Sequence, residues 1–264
     1  MQNKVIPINQ AVELIRPGDT LALGGMTIYR RPIAMVKAML ARRRVLRDLT
    51  LLAFTGGLES DLLIGAGIAS RIRTCYIGLE IFGLAPMFTQ KAGAGELEII
   101  EETEASLALG MRAHLAGVSF MPGRGWLGTD LLTLRPDVKV IDDPYNPGGQ
   151  LVAFPAISWD VAVIHALQAD PSGNARLNGN LAVDVELHLG ARDVIVTAEE
   201  IVEGFDDRVH LTGAAVSAVV HAPHGAYPTS CYPCYPIGGG ELLRYIDACN
   251  SGGFEAYVKE LLAE

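Results

Sequence analysis

Short runs of β-branched and apolar residues alternate along this chain with longer segments whose apolar positions recur at helical spacing. The runs predict strands over residues 20–23, 49–54, 73–77, 97–100, 138–141, 161–165, 194–197 and 215–220. Most are apolar on both faces, as buried parallel strands are. Helices are predicted between them over 32–42, 60–68, 105–116, 183–189 and 241–250, with Pro32 suited to a first helical turn. The alternation predicts an α/β fold, an open and mostly parallel sheet with helices on both faces. Pro144 to Gly149 is the strongest mid-chain turn signal, read as a turn between two halves of one domain spanning 1–264.

Composition narrows the function more than the fold. The chain has 264 residues, half of them hydrophobic, enough to bury a large core. A formal net charge of −9 and the lack of long basic runs argue against nucleic-acid or anionic-membrane partners. The first residues lack the apolar core of a secretory leader, and no apolar run reaches the ~18 residues of a membrane span. A soluble, cytoplasmic protein is therefore expected. Four cysteines are too few for a disulfide framework in a chain of this size.

Three local patterns carry candidate chemistry. Gly24 and Gly25 follow the first predicted strand, where open α/β sheets place ligand loops, though the pattern is neither G-x-G-x-x-G nor a Walker motif. His221, His224, Cys231 and Cys234 are ligand types that suit tetrahedral zinc. Their segment carries Pro223, Pro228, Pro233 and Pro236, so a stiff ordered loop, with no metal, is the expectation. Glu101, Glu102 and Glu104 crowd together between a predicted strand and a predicted helix. Acidic residues in a first turn are favoured by the helix dipole, which explains one or two of them. It does not explain why a strand delivers them at its carboxyl end, the usual ligand edge.

The order of blocks then resembles a known family. Gly18-x-x-Leu21-Ala22-Leu23-Gly24-Gly25-Met26, with Pro32 six residues later, resembles the amino-terminal signature of the class I coenzyme A transferases. The family pattern has Phe where Met26 stands and Gly where Arg30 stands. "LTLLAFTGGLESDLLIGAG", which contains Gly56 and Gly57, resembles the second strand, its glycine pair and the next helix. "RAHLAGVSFMPGRGWLGTDL", with Gly123, Arg124 and Gly125, and "FPAISWDVAVIHALQADPSGNARLNG" are similar to later blocks in the same order. The resemblance covers most of the chain and is greatest to A (alpha) subunits of the glutaconate coenzyme A-transferase type.

That resemblance implies movement of coenzyme A between an acyl-CoA and a small carboxylic acid. A glutamate attacks the thioester, and covalent glutamyl intermediates follow. It implies that this nucleophile lies on a homologous B subunit, in a heterodimer or heterotetramer, with the coenzyme A thioester as substrate and no permanently bound cofactor. Gly24, Gly25, Met26, Arg30, Gly56, Gly57, Gly123, Arg124 and Gly125 are then the expected substrate or coenzyme A contacts. Arg30 and its neighbour Arg31 also read as solvated surface charges. One branch of the fold resembles these transferases but hydrolytically opens a ring of a steroid-derived acyl-CoA. Its A subunit provides a glutamate for the reaction, and acidic residues match the positions of Glu101 and Glu104. Those two are the catalytic candidates, Glu104 ahead of Glu101, acting as a base on water or substrate. A third possibility is a non-catalytic subunit that kept the fold. His165, at the end of an apolar strand, is expected to be a hydrogen-bonded core residue.

Overall fold

The structure is a computed structural model that describes residues 3–263; Met1, Gln2 and Glu264, the ends of the expected domain span, lie outside the described residues. The strands are β1 (Thr20–Leu23), β2 (Leu49–Ala53), β3 (Ala69–Thr74), β4 (Glu98–Glu101), β5 (Phe120–Gly123), β6 (Lys139–Asp142), β7 (Gln150–Pro155), β8 (Val161–Ala169), β9 (Ala175–Arg176), β10 (Asp193–Ile201) and β11 (Ala218–His221). The helices are α1 (Ile8–Ala11), α2 (Ile33–Ala41), α3 (Leu58–Gly65), α4 (Pro86–Gly93), α5 (Glu104–Leu115), α6 (Leu131–Leu134), α7 (Asp184–Gly190), α8 (Gly239–Asn250) and α9 (Phe254–Leu261). Among the described residues no helix is long and apolar enough to cross a membrane.

The main sheet runs β11-β10-β8-β1-β2-β3-β4, parallel throughout, with short β9 antiparallel on β8. Successive side chains of a strand point to opposite faces, and both faces are apolar. Leu21, Leu23, Leu49, Leu51, Val161 and Val163 join the core formed with α2, α3, α8 and α9. Ala22, Leu52, Ala162 and Ile164 join a second core with Leu107 and Met111 of α5 and Leu187 of α7. The expected mostly parallel sheet with helices on both faces is thus present. β1 lies between β2 and β8, so the chain winds outward in both directions from that pair, and the Gly24–Gly25 loop leaves β1 at this switch point.

Several boundaries differ from expectation for identifiable reasons. The strand expected at 73–77 is Ala69–Thr74, because Arg71 and Arg73 alternate with apolar residues and pair with Glu98 and Glu102 on the neighbouring strand side. The strand expected near 138–141 does not enter the main sheet. It forms an antiparallel ladder, β5-β7-β6, over Trp126, Val138, Val152 and Phe154. Residues 144–149 turn β6 back onto β7, with the Gly149 N–H donating to Asn146 O at 2.8 Å. They close a hairpin and do not divide the chain into halves.

Candidate active site

The carboxyl ends of β1 to β4 share one edge of the sheet, and the loops leaving them enclose a cleft of about 830 Å³. Met26 and Thr27 line it from the first loop, Thr55 from the second, and Cys75 and Tyr76 from the third. Glu101 to Ala105 line it from the junction of β4 and α5, and Glu80 and Gly125 complete it.

The three glutamates separate into two kinds. Glu102 is buried, its carboxylate 2.5 Å from Arg73 Nη1, 2.7 Å from Arg135 Nη1 and 2.5 Å from the donating Ser106 hydroxyl. Burial lowers the Arg73 pKa, while the hydrogen bond to Asp137 leads the causes raising that of Arg135. Glu102 is therefore a clamp between β3, β4 and the segment after α6. Glu101 ends β4 and Glu104 opens α5, and both side chains are exposed on the cleft. Thr103 between them is the N-cap: its hydroxyl accepts from the Ser106 N–H while the Ser106 hydroxyl accepts from the Thr103 N–H. The Trp126 indole also donates to the Thr103 hydroxyl at 2.9 Å. The cap at this junction fixes where Glu104 emerges, while Glu101 leaves from the last residue of β4.

The glycine loops shape the cleft more than they line it. Gly25 has φ of 78°, a conformation glycine adopts without steric cost. Its N–H donates to Asp184 Oδ1 at 2.9 Å. A methyl on Gly57 would sit 2.0 Å from the Thr27 carbonyl oxygen, so the loops after β1 and β2 touch because residue 57 has no side chain. Gly56 packs under Ile77, and Gly123 lies in β5 against Leu109 and Phe154.

The expected arginine contacts are corrected. Arg30 is buried, paired with Asp184 at 2.7 Å, and donates to His165 O at 2.7 Å and Asn180 O at 2.8 Å. Its donors are engaged inside the protein, so it holds the glycine loop from behind and offers nothing to an anion in the cleft. Arg31 is not a surface charge either, being fully buried against Glu59. Arg124 is exposed, 3.7 Å from Asp143, and does not line the cleft.

Sequence reasoning missed Thr27, Thr55, Cys75, Tyr76 and Glu80. Their signal was position: all but Glu80 follow closely on a strand's carboxyl end. The Cys75 thiol donates to Phe54 O at 2.8 Å, and burial, with Glu104 adding repulsion, pushes its pKa up to about 11. It is a neutral donor and not a nucleophile. Thr27 is buried, and its hydroxyl has no partner among the described residues, which leaves it for a ligand or water. Among the described residues, no three of His221, His224, Cys231 and Cys234 bring donor atoms together. His221 and His224 are exposed, with the His224 ring stacked on Tyr235 at 4.7 Å.

Comparison with known proteins places this architecture. The model of the coenzyme A transferase family matches residues 5–222. The chain is 33% identical to the A subunit of the glutaconate CoA-transferase of Acidaminococcus fermentans, over 98% of this chain and 87% of that one. The crystal structure of that enzyme superposes with a TM-score of 0.90 at 31% identity, covering 97% of this chain and 88% of the other. The A subunit of the 3-oxoadipate CoA-transferase of Pseudomonas knackmussii is 36% identical over 88% of this chain and 83% of its own length. The cholesterol ring-cleaving hydrolase IpdA subunit of Rhodococcus jostii is 31% identical over 86% of this chain and 81% of its own. The chain belongs to the coenzyme A transferase family, as a member of its A-subunit type.

Proposed function

We propose that this chain is the A subunit of a heteromeric coenzyme A transferase that moves coenzyme A from an acyl-CoA to a small carboxylic acid in the cytoplasm. A homologous B subunit completes the active site and supplies the nucleophilic glutamate. The observation that carries the reading is the open cleft at the carboxyl edge of the sheet, in a chain whose transferase relatives are A subunits. Its open side leaves room for an acyl-CoA and for the B subunit, and Glu101 and Glu104 are among the residues that line it. Coenzyme A enters as a thioester substrate. The test is co-expression with the B subunit, followed by an assay of acyl-CoA donors against carboxylic acids, reading new acyl-CoA by mass spectrometry. Formation of a stable complex that exchanges coenzyme A with no donor and acid pair rejects the proposal.

A second reading, ring-opening hydrolysis with Glu104 or Glu101 as base, is favoured by one observation. Both carboxylates stand exposed on the cleft, with no Lys or Arg side chain paired to them among the described residues, which leaves them open to accept a proton from water. A ring-cleaving hydrolase subunit is also among the relatives. Hydrolysis of this kind adds the mass of water to a cyclic acyl-CoA and leaves the thioester in place. Transfer exchanges the thioester between acids and adds no water.

A further inference from the structure

A second group of reactive side chains lies apart from the cleft residues, where β8, β10 and the loop after β11 meet. His165 and Thr197 are register partners on β8 and β10, and Glu199 follows Thr197 on the same face. His165 Nε2 is 2.7 Å from Glu199 Oε1, and Nδ1 is 2.8 Å from Thr197 Oγ1. The buried Cys231 comes from the loop above, and its sulfur lies within 4.8 Å of the donor atoms of both His165 and Glu199. Cys234 follows in a tight turn, its N–H donating to Cys231 O at 2.7 Å, with its thiol exposed beside that of Cys231.

The Glu199 side chain is 9% exposed, and its other contacts are the Tyr235 hydroxyl and the His224 N–H, the latter donating at 2.7 Å. The Tyr235 hydroxyl and the His224 N–H are neutral donors, and the fully buried His165 ring sets its two nitrogens against Glu199 and Thr197. Arg30, whose guanidinium donates to His165 O at 2.7 Å, is paired with Asp184. A buried carboxylate, thiol and imidazole whose donor atoms converge within 4.8 Å, with no Lys or Arg paired to Glu199 among the described residues, form a donor set suited to a cation.

We propose that His165, Glu199 and Cys231 bind a divalent transition-metal ion, with zinc the natural fit to nitrogen, oxygen and sulfur donors and Cys234 placed to add a fourth ligand. Loading releases the Cys231 proton to solvent and shifts the His165 proton from Nε2 to Nδ1, where Thr197 Oγ1 accepts it. Nε2, a Glu199 oxygen and the thiolate then face the ion, and Thr197 and Tyr235 hold the ligands in place. The site is closed by burial and lined by protein ligands, so the ion is structural. It pins the loop carrying Cys231 to the sheet, and the neighbouring Ser230 O accepts the Arg30 N–H at 2.6 Å. Metal at this point would therefore steady the glycine loop from behind.

The experiment uses the full, untagged chain stripped with chelator and dialysed against zinc, with metal counted by mass spectrometry, and a parallel sample loaded with cobalt(II). The expected result is one zinc per chain, a raised thermal midpoint, and thiolate-to-cobalt charge-transfer absorption. Cys231→Ser should abolish that absorption and weaken zinc binding by about 100-fold, at the upper end of losses seen when metal-site support is removed. His221→Asn should leave both unchanged, which separates this site from the histidine pair suggested by sequence spacing. No thiolate band in the wild-type chain overturns the proposal whether or not Cys231→Ser folds. A band that survives Cys231→Ser in a folded protein overturns it as well.

Discussion

Arg135 sets its guanidinium 2.7 Å from the carboxylate of Glu102, 33 residues away in the chain. Arg73 reaches the same oxygen from β3 at 2.5 Å, so one buried acid ties the main sheet to the segment after α6. Removing it leaves the Arg135 side chain, only 10% exposed, without this counter-charge. Breaking a buried pair from one side costs about 3–5 kcal/mol, and the low end applies because Arg73 is partly solvated and Arg135 keeps Asp137. Glu102→Ala is expected to lower unfolding free energy by about 3 kcal/mol in chemical denaturation. A change under about 0.5 kcal/mol, typical of surface sites, would show that the clamp carries no weight.

Glu104 should behave in the opposite way. It is exposed at the first turn of α5, where a carboxylate gains about 0.3–1 kcal/mol from the helix dipole. Glu104→Gln is therefore expected to change stability by less than about 1 kcal/mol. If this residue handles a proton, turnover in complex with the B subunit falls about 10²-fold or more. Glu101→Gln should fall less, since that side chain leaves the end of β4 and is not aimed by the cap. Unchanged turnover in both variants would remove this chain from the chemistry.

The division between these glutamates marks how far the sequence could be read. β1 at 20–23 was legible because its apolar run ends at a glycine pair, and the strand-to-helix junction after residue 100 because its run ends at the capping Thr103. The partners that decide each carboxylate's role, Arg73 and Arg135, lie on other elements and leave no local trace. The small sheet was harder to see, since β5 contains Pro122 and Gly123 and β7 ends in Pro155, residues that read as turns. α4 and α9 were missed too, α4 beginning at a proline and α9 following a Gly pair that reads as a stop. Arg30 illustrates the converse. Its place after a glycine pair suggested anion binding, whereas Asp184, 154 residues further on, draws it into the core.

Gly57 tests whether loop contact shapes the cleft. A side-chain methyl there meets the Thr27 backbone oxygen at 2.0 Å, and backbone cannot step aside as a flexible side chain can. Gly57→Ala should cost about 1–3 kcal/mol, the range for overpacking, and should lower activity by moving Thr27 and Met26. Gly93, at the end of α4, has open space around a methyl, so Gly93→Ala is expected to be neutral or stabilising by up to about 1 kcal/mol. Thermal melts of the pair, with activity measured alongside, check both. Equal effects in the two variants would mean that the close approach at Gly57 relaxes freely.

Asp61 supplies a pH dependence. It lies in α3, where Tyr245 of α8 donates to it at 2.6 Å and the N–H groups of Phe88 and Met87 donate at 2.6 and 3.2 Å. Burial outweighs these bonds, which favour the charged form, and with some repulsion from Glu59 raises the Asp61 pKa from 3.8 to about 6. Tyr245 and the Cys249 thiol beside it are themselves raised by burial and stay protonated. The folded state therefore binds this proton more tightly than the unfolded chain. The stabilisation is fully present below about pH 4, declines as pH rises, and is gone above about pH 6. Two pKa units correspond to about 3 kcal/mol, an upper figure for a buried group. Asp61→Asn removes the titration, so its unfolding free energy should fall less steeply than the wild type's between pH 4 and pH 7, whatever its absolute stability. Urea denaturation across that interval checks it, and parallel slopes in the two proteins would place the Asp61 pKa near its ordinary value.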